Sequence, residues 1–316
     1  MLKLAGVIPP VVSPRTADGQ FDPAAMLRVI EHLLAGGVHG IFALGTTGEG
    51  PSLSYLNRYQ IVDRTCEVTA GRVPVLVCIT DTCLSESLLL AHHAHASGAA
   101  AVVAAAPYYF DVPQTALTDW FRRIADESLL PLLLYNMPSC VGTTLSLELV
   151  AELSEHPNVV GIKDSGGDLK YFQQLCVQFR KPGRFSVFMG PEELLADAVA
   201  LGGDGGVCGG ANLLPAIYTG LYSAACSGDA SEIRQLHAII HDLFASVYRD
   251  EFSRMKLIPG LKLAMELCGL CERHIAPPLQ PVTPAHASRI AAAANRFELA
   301  GLLPAHGTTA GKGLST

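Results

Sequence analysis

The sequence predicts an α/β fold, specifically a closed (β/α)8 TIM barrel with a C-terminal helical extension. Short apolar runs alternate with helix-like segments, and each run is apolar throughout, which is typical of parallel strands covered on both faces. No dinucleotide fingerprint of a doubly wound sheet accompanies them. The eight runs, the number that a closed barrel needs, are 6–12, 38–44, 74–79, 101–106, 131–135, 159–163, 185–189 and 205–208.

Helix signals lie between the runs. Asp22 followed by Pro23 predicts an N-cap and a first-turn proline, Ser54 precedes a second helical segment, and Pro191 opens a third. Glycines close several of these segments, at 36–37, 71, 98 and 202–203.

Helical patterns continue after the eighth unit and predict the extension. They lie near 229–249, 256–268 and 284–298. The last residues are small and polar, which is typical of a flexible end. We therefore expect a barrel catalytic domain over 1–226, a C-terminal helical domain over 227–300 and a flexible tail over 301–316.

Composition excludes several classes of protein. Of 316 residues, 49% are hydrophobic and only 16% are charged, so we expect an apolar surface that is used in a homo-oligomer. The net charge of -7 and the absence of a Lys/Arg run argue against nucleic acid as a partner. No apolar run is long enough to cross a membrane. Nine scattered cysteines and an N-terminus without a signal-peptide pattern predict a reduced, cytoplasmic location.

Several motifs do not reach the pattern that their chemistry needs. The glycine-rich stretch 202–210 misses the dinucleotide spacing, and 307–313 departs from a phosphate loop. Cys268 and Cys271 form a lone C-x-x-C pair, and the histidines of 91–96, like His237 and His241, have no acidic partner at ligand spacing. The sequence therefore predicts no metal site.

The barrel prediction brings reactive side chains to one rim, because the carboxyl ends of the strands meet there. Lys163 alone among seven lysines ends an apolar strand. Apolar walls disfavour the ammonium form, and a neutral amine is the form that attacks a ketone or aldehyde. The alternative is a lysine that extends outward from the rim into solvent, and taken alone the two interpretations are equal.

Two tyrosines add to this candidate site. Tyr135 ends the preceding strand, where a phenol can transfer protons during imine formation, although a packed aromatic is an equal alternative. Tyr109 follows the fourth strand in a Tyr-Tyr-Phe stretch. Its alternative is a loop that packs against another subunit.

The stretch 45–49, GTTGE, follows the second strand. Glycines allow a close approach to a ligand, and successive N–H groups beside threonine hydroxyls form an anion-binding concavity. A plain turn is the alternative. An amine, a phenol and a carboxylate cradle on one rim favour a 2-oxo acid as the small-molecule substrate.

From about residue 4 to 300 the sequence resembles the dihydrodipicolinate synthase and N-acetylneuraminate lyase family. The resemblance is carried by GTTGE (45–49), PYY (107–109), YNMPS (135–139) and GIKDSGGD (161–168), in this order and spacing. It implies a TIM barrel with a helical domain, usually assembled as a tetramer, with a dimer as the smaller assembly. It also implies class I lyase chemistry without a metal or an organic cofactor.

The resemblance implies a role for each matching residue. Lys163 would form the Schiff base with pyruvate or another 2-oxo acid, and Tyr135 would be the acid and base. A threonine hydroxyl, Thr46 in our assignment, would relay protons to a Tyr109 that comes from the neighbouring subunit. The implied substrate-binding residues are Thr46, Thr47, Gly48, Gly190 and Val207.

The sequence departs from the family pattern at Cys140, where dihydrodipicolinate synthases carry an arginine for the second substrate's carboxylate. A cysteine cannot make that bidentate pair. We therefore expect an aldolase or dehydratase of a hydroxylated 2-oxo acid, of the 2-keto-3-deoxy sugar acid or 4-hydroxy-2-oxoglutarate type. The alternatives are dihydrodipicolinate synthase itself and a non-enzymatic 2-oxo acid sensor. The residues expected at the variable end of the pocket are Cys140, Ser165, Gly167 and Glu192.

Overall fold

The structure, a computed structural model, describes residues 4–249 and 257–303. Its eight strands fall within or beside the eight predicted runs, which confirms the (β/α)8 prediction. The first is shorter than expected, because Pro9 and Pro10 have no N–H group to continue a regular ladder. The strands are β1 Gly6–Val7, β2 Ile41–Ala43, β3 Val75–Cys78, β4 Ala101–Ala105, β5 Leu132–Asn136, β6 Val159–Asp164, β7 Ser186–Met189 and β8 Gly205–Gly206.

All eight strands pair in parallel, in the order β1-β8-β7-β6-β5-β4-β3-β2. The two ends of this row meet just beyond β1, where Pro10 forms a parallel bridge with Phe42. Phe42 donates its N–H to the carbonyl of Pro9, and Val11 donates to the carbonyl of Phe42, both at 2.9 Å. These bonds close the sheet into a barrel, so the carboxyl ends of all strands surround one rim.

Helices surround the barrel and continue after it. The prediction of a C-terminal helical extension is confirmed by the last three helices, which lie over the expected segments. A π-helix, Phe244–Tyr248, directly follows α10. The helices are α1 Pro23–Ala35, α2 Tyr55–Thr69, α3 Leu84–Ala96, α4 Gln114–Glu127, α5 Pro138–Val141, α6 Leu147–Ser154, α7 Leu169–Phe179, α8 Leu195–Ala200, α9 Pro215–Ser227, α10 Ala230–Leu243, α11 Leu257–Leu267 and α12 Pro284–Leu299.

The helix starts follow the capping rules that predicted them. The Asp22 carboxylate accepts the N–H groups of Ala24 and Ala25, and the Ser54 hydroxyl accepts that of Asn57. The segment after Pro191 differs from the prediction, because one 3-10 turn, Glu192–Leu194, precedes α8.

Two further predictions concern the C-terminal tail and membrane-spanning helices. Residues 304–316, which include most of the expected tail and the stretch 307–313, lie outside the described residues. Within the described ranges, no helix has the length and hydropathy needed to cross a membrane.

Candidate active site

Lys163 lies near the end of β6 with its side chain inside the barrel. Only 4% of the residue is exposed, so the side chain does not extend outward into solvent. Its Nζ atom lies 4.0 Å from the ring centroid of Tyr135 and 5.0 Å from that of Phe42. The electron-rich ring faces can stabilise a cation at this nitrogen, including a protonated imine.

Tyr135 is the register partner of Lys163 on the adjacent strand β5. Its hydroxyl is 3.3 Å from Oγ1 of Thr46, and either oxygen can be the donor. The ring also packs edge-on against Phe42, with 6.4 Å between the centroids. The Lys163 amine, the Tyr135 phenol and the Thr46 hydroxyl therefore lie next to one another in space. This arrangement can pass a proton to or from a group bound at the lysine.

The stretch 45–49 forms a tight loop, and the residue before it and its own last residue are both in the left-handed region. Leu44 has φ of 60° and Glu49 has φ of 57°. A Cβ on Gly48 would lie 2.9 Å from the carbonyl oxygen of Val11, so only glycine fits without a shift. In the described part of the chain, no protein acceptor receives the main-chain N–H groups of Thr46 and Thr47. These two N–H groups are available for an anion, and we refer to residues 45–49 as the carboxylate cradle.

The loops after β6, β7 and β8 approach this cradle. A Cβ on Gly190 would lie 1.9 Å from Oγ of Ser165, so the serine hydroxyl packs directly on that glycine. A Cβ on Gly209 would lie 3.5 Å from Oγ1 of Thr47 and 3.6 Å from Oε2 of Glu192. The loops after β2, β7 and β8 therefore come together at Gly209. Val207 is buried directly after β8.

Asn136 and Asp164 form a buried polar pair directly after Tyr135 and Lys163. Nδ2 of Asn136 donates to Oδ1 of Asp164 at 2.7 Å, and Oδ1 of Asn136 accepts the N–H of Leu145 at 3.0 Å. Burial raises the pKa of the Asp164 carboxyl, although the bond from Asn136 opposes this shift. The pair ties the ends of β5 and β6 together and so fixes the spacing of the two reactive side chains.

Glu192 is a second buried carboxyl at the rim. Its Oε1 accepts the hydroxyl of Tyr218, and its Oε2 accepts the N–H of Gly210, both at 2.7 Å. Burial raises the pKa of Glu192 to about 7, and the two hydrogen bonds only partly oppose the shift. The sequence predicts Glu192 at the variable end of the pocket. In the structure its carboxylate is buried next to Gly209 and Gly210.

We expect Glu192 to make the folded protein more stable at low pH. Its pKa is near 7 in the folded chain against 4.5 ordinarily, so its contribution is complete below pH 4.5 and is lost as the pH rises through 7. Relative to Glu192→Gln, the native free energy of unfolding should fall by up to about 3 kcal/mol from pH 4.5 to 8. Urea unfolding at several pH values measures this difference.

Glu193→Gln is the matched control, because it removes a charge from the adjacent residue outside the Tyr218 and Gly210 contacts. A difference between native protein and Glu192→Gln that stays constant from pH 4.5 to 8 would contradict the prediction.

Tyr109 and Cys140 are predicted site residues that the structure leaves at the surface. Tyr109 is 78% exposed and packs edge-on against Phe110, with 5.1 Å between the ring centroids. Its loop borders a groove of about 330 Å³ that reaches Val141. Cys140 lies on the four-residue helix α5 with a free, exposed thiol. Both residues therefore lie beside the rim, and neither contacts Lys163.

The cysteine pair and the histidines of the sequence analysis form no metal site in the described ranges. Cys268 and Cys271 are free and buried, and burial raises the pKa of both thiols to about 12. The rings of His237 and His241 lie 6.0 Å apart. The described residues contain no group of three or more side chains arranged to hold a metal ion.

Sequence reasoning missed several contributors to this site. Phe42 faces the Lys163 amine, but its sequence pattern indicates only an apolar strand. Asp164 directly follows Lys163 in a quoted motif, so its acidic side chain at a strand end was an available signal. The ion pair between Glu49 and Lys262 joins the cradle to α11 and has no local sequence signal at all.

Comparison with known proteins decides the family. Residues 3–296 match the Dihydrodipicolinate synthetase family. The chain belongs to this family. Its members are lyases of the aldolase type, and so is this chain. The predicted resemblance and enzyme class are therefore confirmed.

Individual relatives in the dihydrodipicolinate synthetase family carry different names. The probable 2-dehydro-3-deoxy-D-pentonate aldolase YjhH of Escherichia coli is 36% identical over 283 residues, covering 88% of this chain and 92% of the aldolase. The structure of dihydrodipicolinate synthase from Bacteroides thetaiotaomicron has a TM-score of 0.89 at 40% identity, covering 94% of this chain and 100% of that one.

A third relative was solved with a small molecule bound. YagE, an Escherichia coli prophage protein of the dihydrodipicolinic acid synthase family, is in complex with pyruvate. It is 30% identical with a TM-score of 0.86, and the match covers 94% of this chain and 99% of YagE.

Proposed function

We propose that this protein is a Schiff-base lyase acting on pyruvate or another 2-oxo acid, and that Lys163 is the residue that forms the imine. The observation that carries the proposal is the placement of its amine. Nζ is buried 4.0 Å from the ring of Tyr135, whose hydroxyl lies 3.3 Å from Thr46. The pyruvate bound to YagE supports a 2-oxo acid as the substrate class.

The chemistry follows from these positions. The amine of Lys163 attacks C2 of the 2-oxo acid, and the resulting carbinolamine loses water to give a protonated imine. Tyr135 gives and takes the protons of these steps, with Thr46 as the next hydroxyl in the relay. The substrate carboxylate binds to the free N–H groups and hydroxyls of Thr46 and Thr47, beside Gly48. No metal or organic cofactor takes part in this scheme.

Cleavage uses the imine as an electron sink. A base removes the proton of the C4 hydroxyl, the C3–C4 bond breaks, and its electron pair moves into the iminium to form an enamine and an aldehyde. Protonation of the enamine at C3 and hydrolysis of the imine release pyruvate and the free amine. In the dehydratase variant, the imine loses a proton from C3 to form the enamine, and the C4–O bond then breaks, with the protonated hydroxyl leaving as water.

A second copy of the chain completes the relay in this proposal. Tyr109 does not reach the site of its own chain, and it lies in an exposed aromatic loop with Tyr108 and Phe110. A partner protomer placed against this loop would receive Tyr109 near Thr46. We therefore propose a cytoplasmic homo-oligomer, a dimer or a tetramer.

The substrate choice rests on Cys140. Its exposed thiol offers no charge to a second carboxylate, so we propose a hydroxylated 2-oxo acid as the native substrate. The pentonate aldolase name of YjhH supports this class. The Bacteroides relative supports the alternative, dihydrodipicolinate synthase. Turnover of either substrate separates both from the non-enzymatic 2-oxo acid sensor.

We expect the unmutated protein to cleave 2-dehydro-3-deoxy-D-pentonate far better than it condenses pyruvate with aspartate semialdehyde. Cys140→Arg should reverse part of this preference, because the guanidinium offers two parallel hydrogen bonds to a carboxylate. The expected shift in relative transition-state binding is about 1–3 kcal/mol. The measurement is kcat/KM for both reactions, with pyruvate release by cleavage coupled to a dehydrogenase and the condensation followed by the consumption of pyruvate.

Cys83→Arg provides the control, because Cys83 is also a free, exposed cysteine but precedes α3 on another side of the rim. A kcat/KM of about 10⁴ M⁻¹s⁻¹ or more for aspartate semialdehyde in the unmutated protein would restore the synthase interpretation.

A further inference from the structure

We infer that Lys262, on the C-terminal helix α11, is a positioning residue that holds the carboxylate cradle in its binding conformation. This inference rests on the proposed function of that cradle. Lys262 is completely buried and forms an ion pair with Oε1 of Glu49, the last cradle residue. Its Nζ also donates to the carbonyl oxygens of Ser13 and His274, both at 2.8 Å.

The ammonium of Lys262 reaches the cradle by two routes. The direct route is the ion pair with Glu49, whose Oε2 also accepts the N–H of Ala276 at 2.5 Å. The indirect route passes through Ser13, whose hydroxyl donates to the carbonyl of Gly48 at 2.6 Å. Two consecutive cradle residues are therefore fixed by groups outside the barrel strands.

The cradle needs such support because its backbone is strained. Leu44 and Glu49 are both in the left-handed region, which costs about 1–3 kcal/mol for each residue with a side chain. Such conformations persist only where the surroundings determine them. A Cβ on Gly50 would lie 2.1 Å from the carbonyl oxygen of Leu44, so the residues just before and just after the cradle are in close contact. We therefore expect the loss of Lys262 to let the loop relax and to change the positions of the Thr46 and Thr47 N–H groups.

Stability alone does not account for this ion pair. A buried pair is a weak source of stability, since the desolvation of both charges offsets their attraction. Lys262 contacts neither Lys163 nor Tyr135, so its loss should change the binding of the substrate carboxylate and not the chemical step. We therefore expect an effect on KM with little effect on kcat.

The experiment measures imine formation with pyruvate, trapped by borohydride, in the full chain and its variants. Lys262→Met should raise the half-saturating pyruvate concentration by at least about tenfold, while the trapping rate at saturation stays within about threefold of native. Lys181→Met is the matched control. Lys181 also donates to a carboxylate, Glu155 at 2.8 Å, but on the exposed surface, and this change should alter neither value.

Glu49→Gln tests the same ion pair if Lys262→Met does not fold. It removes the charge of the pair and keeps the side-chain shape, so the half-saturating concentration should again rise. A half-saturating concentration within twofold of native in the folded variants would overturn the inference and leave the proposed function intact. An equal loss of binding and saturated rate would overturn it too, since that marks a merely structural role. No adduct in unmutated protein would overturn the proposed function, and the inference with it.

Discussion

Lys163→Met should lose nearly all turnover, by about 10⁴-fold or more in kcat, and should still fold. The amine is the group that forms the covalent intermediate in our proposal, and losing a nucleophile removes that route entirely. Methionine has a similar volume and suits the buried space beside Phe42 and Tyr135, so packing is preserved. The measurement is kcat together with the midpoint of thermal unfolding.

Trapping of the imine tests the same residue directly. Native protein incubated with pyruvate and borohydride should gain one reduced pyruvyl group, on the peptide that contains Lys163. Lys170→Met is the matched control, because Lys170 lies nearby on α7 with an exposed side chain, and this variant should still be labelled. An adduct on another lysine, or none in active protein, would contradict the mechanism.

Tyr135→Phe is expected to lower kcat by about 10²–10⁴, the usual span for a general acid–base group. The ring contacts to Phe42 and Lys163 remain in this variant, and only the hydroxyl that faces Thr46 is lost. We therefore expect the stability and the KM for the 2-oxo acid to change little. Steady-state kinetics and thermal unfolding measure the two parts of this prediction.

Tyr171→Phe is the matched control for the loss of a phenol. The Tyr171 hydroxyl donates to the carbonyl of Leu145 at 2.6 Å, away from the Lys163 amine. Its removal should lower the free energy of unfolding by about 1 kcal/mol and leave kcat unchanged. A decrease of less than fivefold in kcat for Tyr135→Phe would make Tyr135 a packing residue.

The fold was predictable because its signals are local. Unbroken apolar runs identified the strands, and Asp22 and Ser54 marked helix starts that the structure confirms. The proximity of Lys163 and Tyr135 follows from the same reasoning, since parallel neighbouring strands end at one rim. Residue types at strand ends therefore carry information about a barrel's reactive centre.

The contacts between distant segments were not predictable from one sequence. Glu192 is buried against Tyr218, and Lys262 against Glu49, yet neither pair has a spacing or a motif that marks it. Lys262 and Glu49 compensate each other's charge, and Glu192 is buried with hydrogen bonds from Tyr218 and Gly210. Tyr109 is exposed, and the position that we propose for it, near Thr46 of a second chain, has no signal in the pattern of one chain.

The structure separates the reactive centre from the residue that we expect to choose the substrate. Lys163 and Tyr135 are buried register partners in the barrel, so only substitutions of similar shape leave the packing there unchanged. Cys140 lies exposed on a four-residue helix and fixes no core contact, so its replacement carries little folding penalty. Laboratory evolution can therefore explore many side chains at position 140 while every library member keeps the same reactive amine. We expect a single substitution at position 140 to be enough to change the range of substrates.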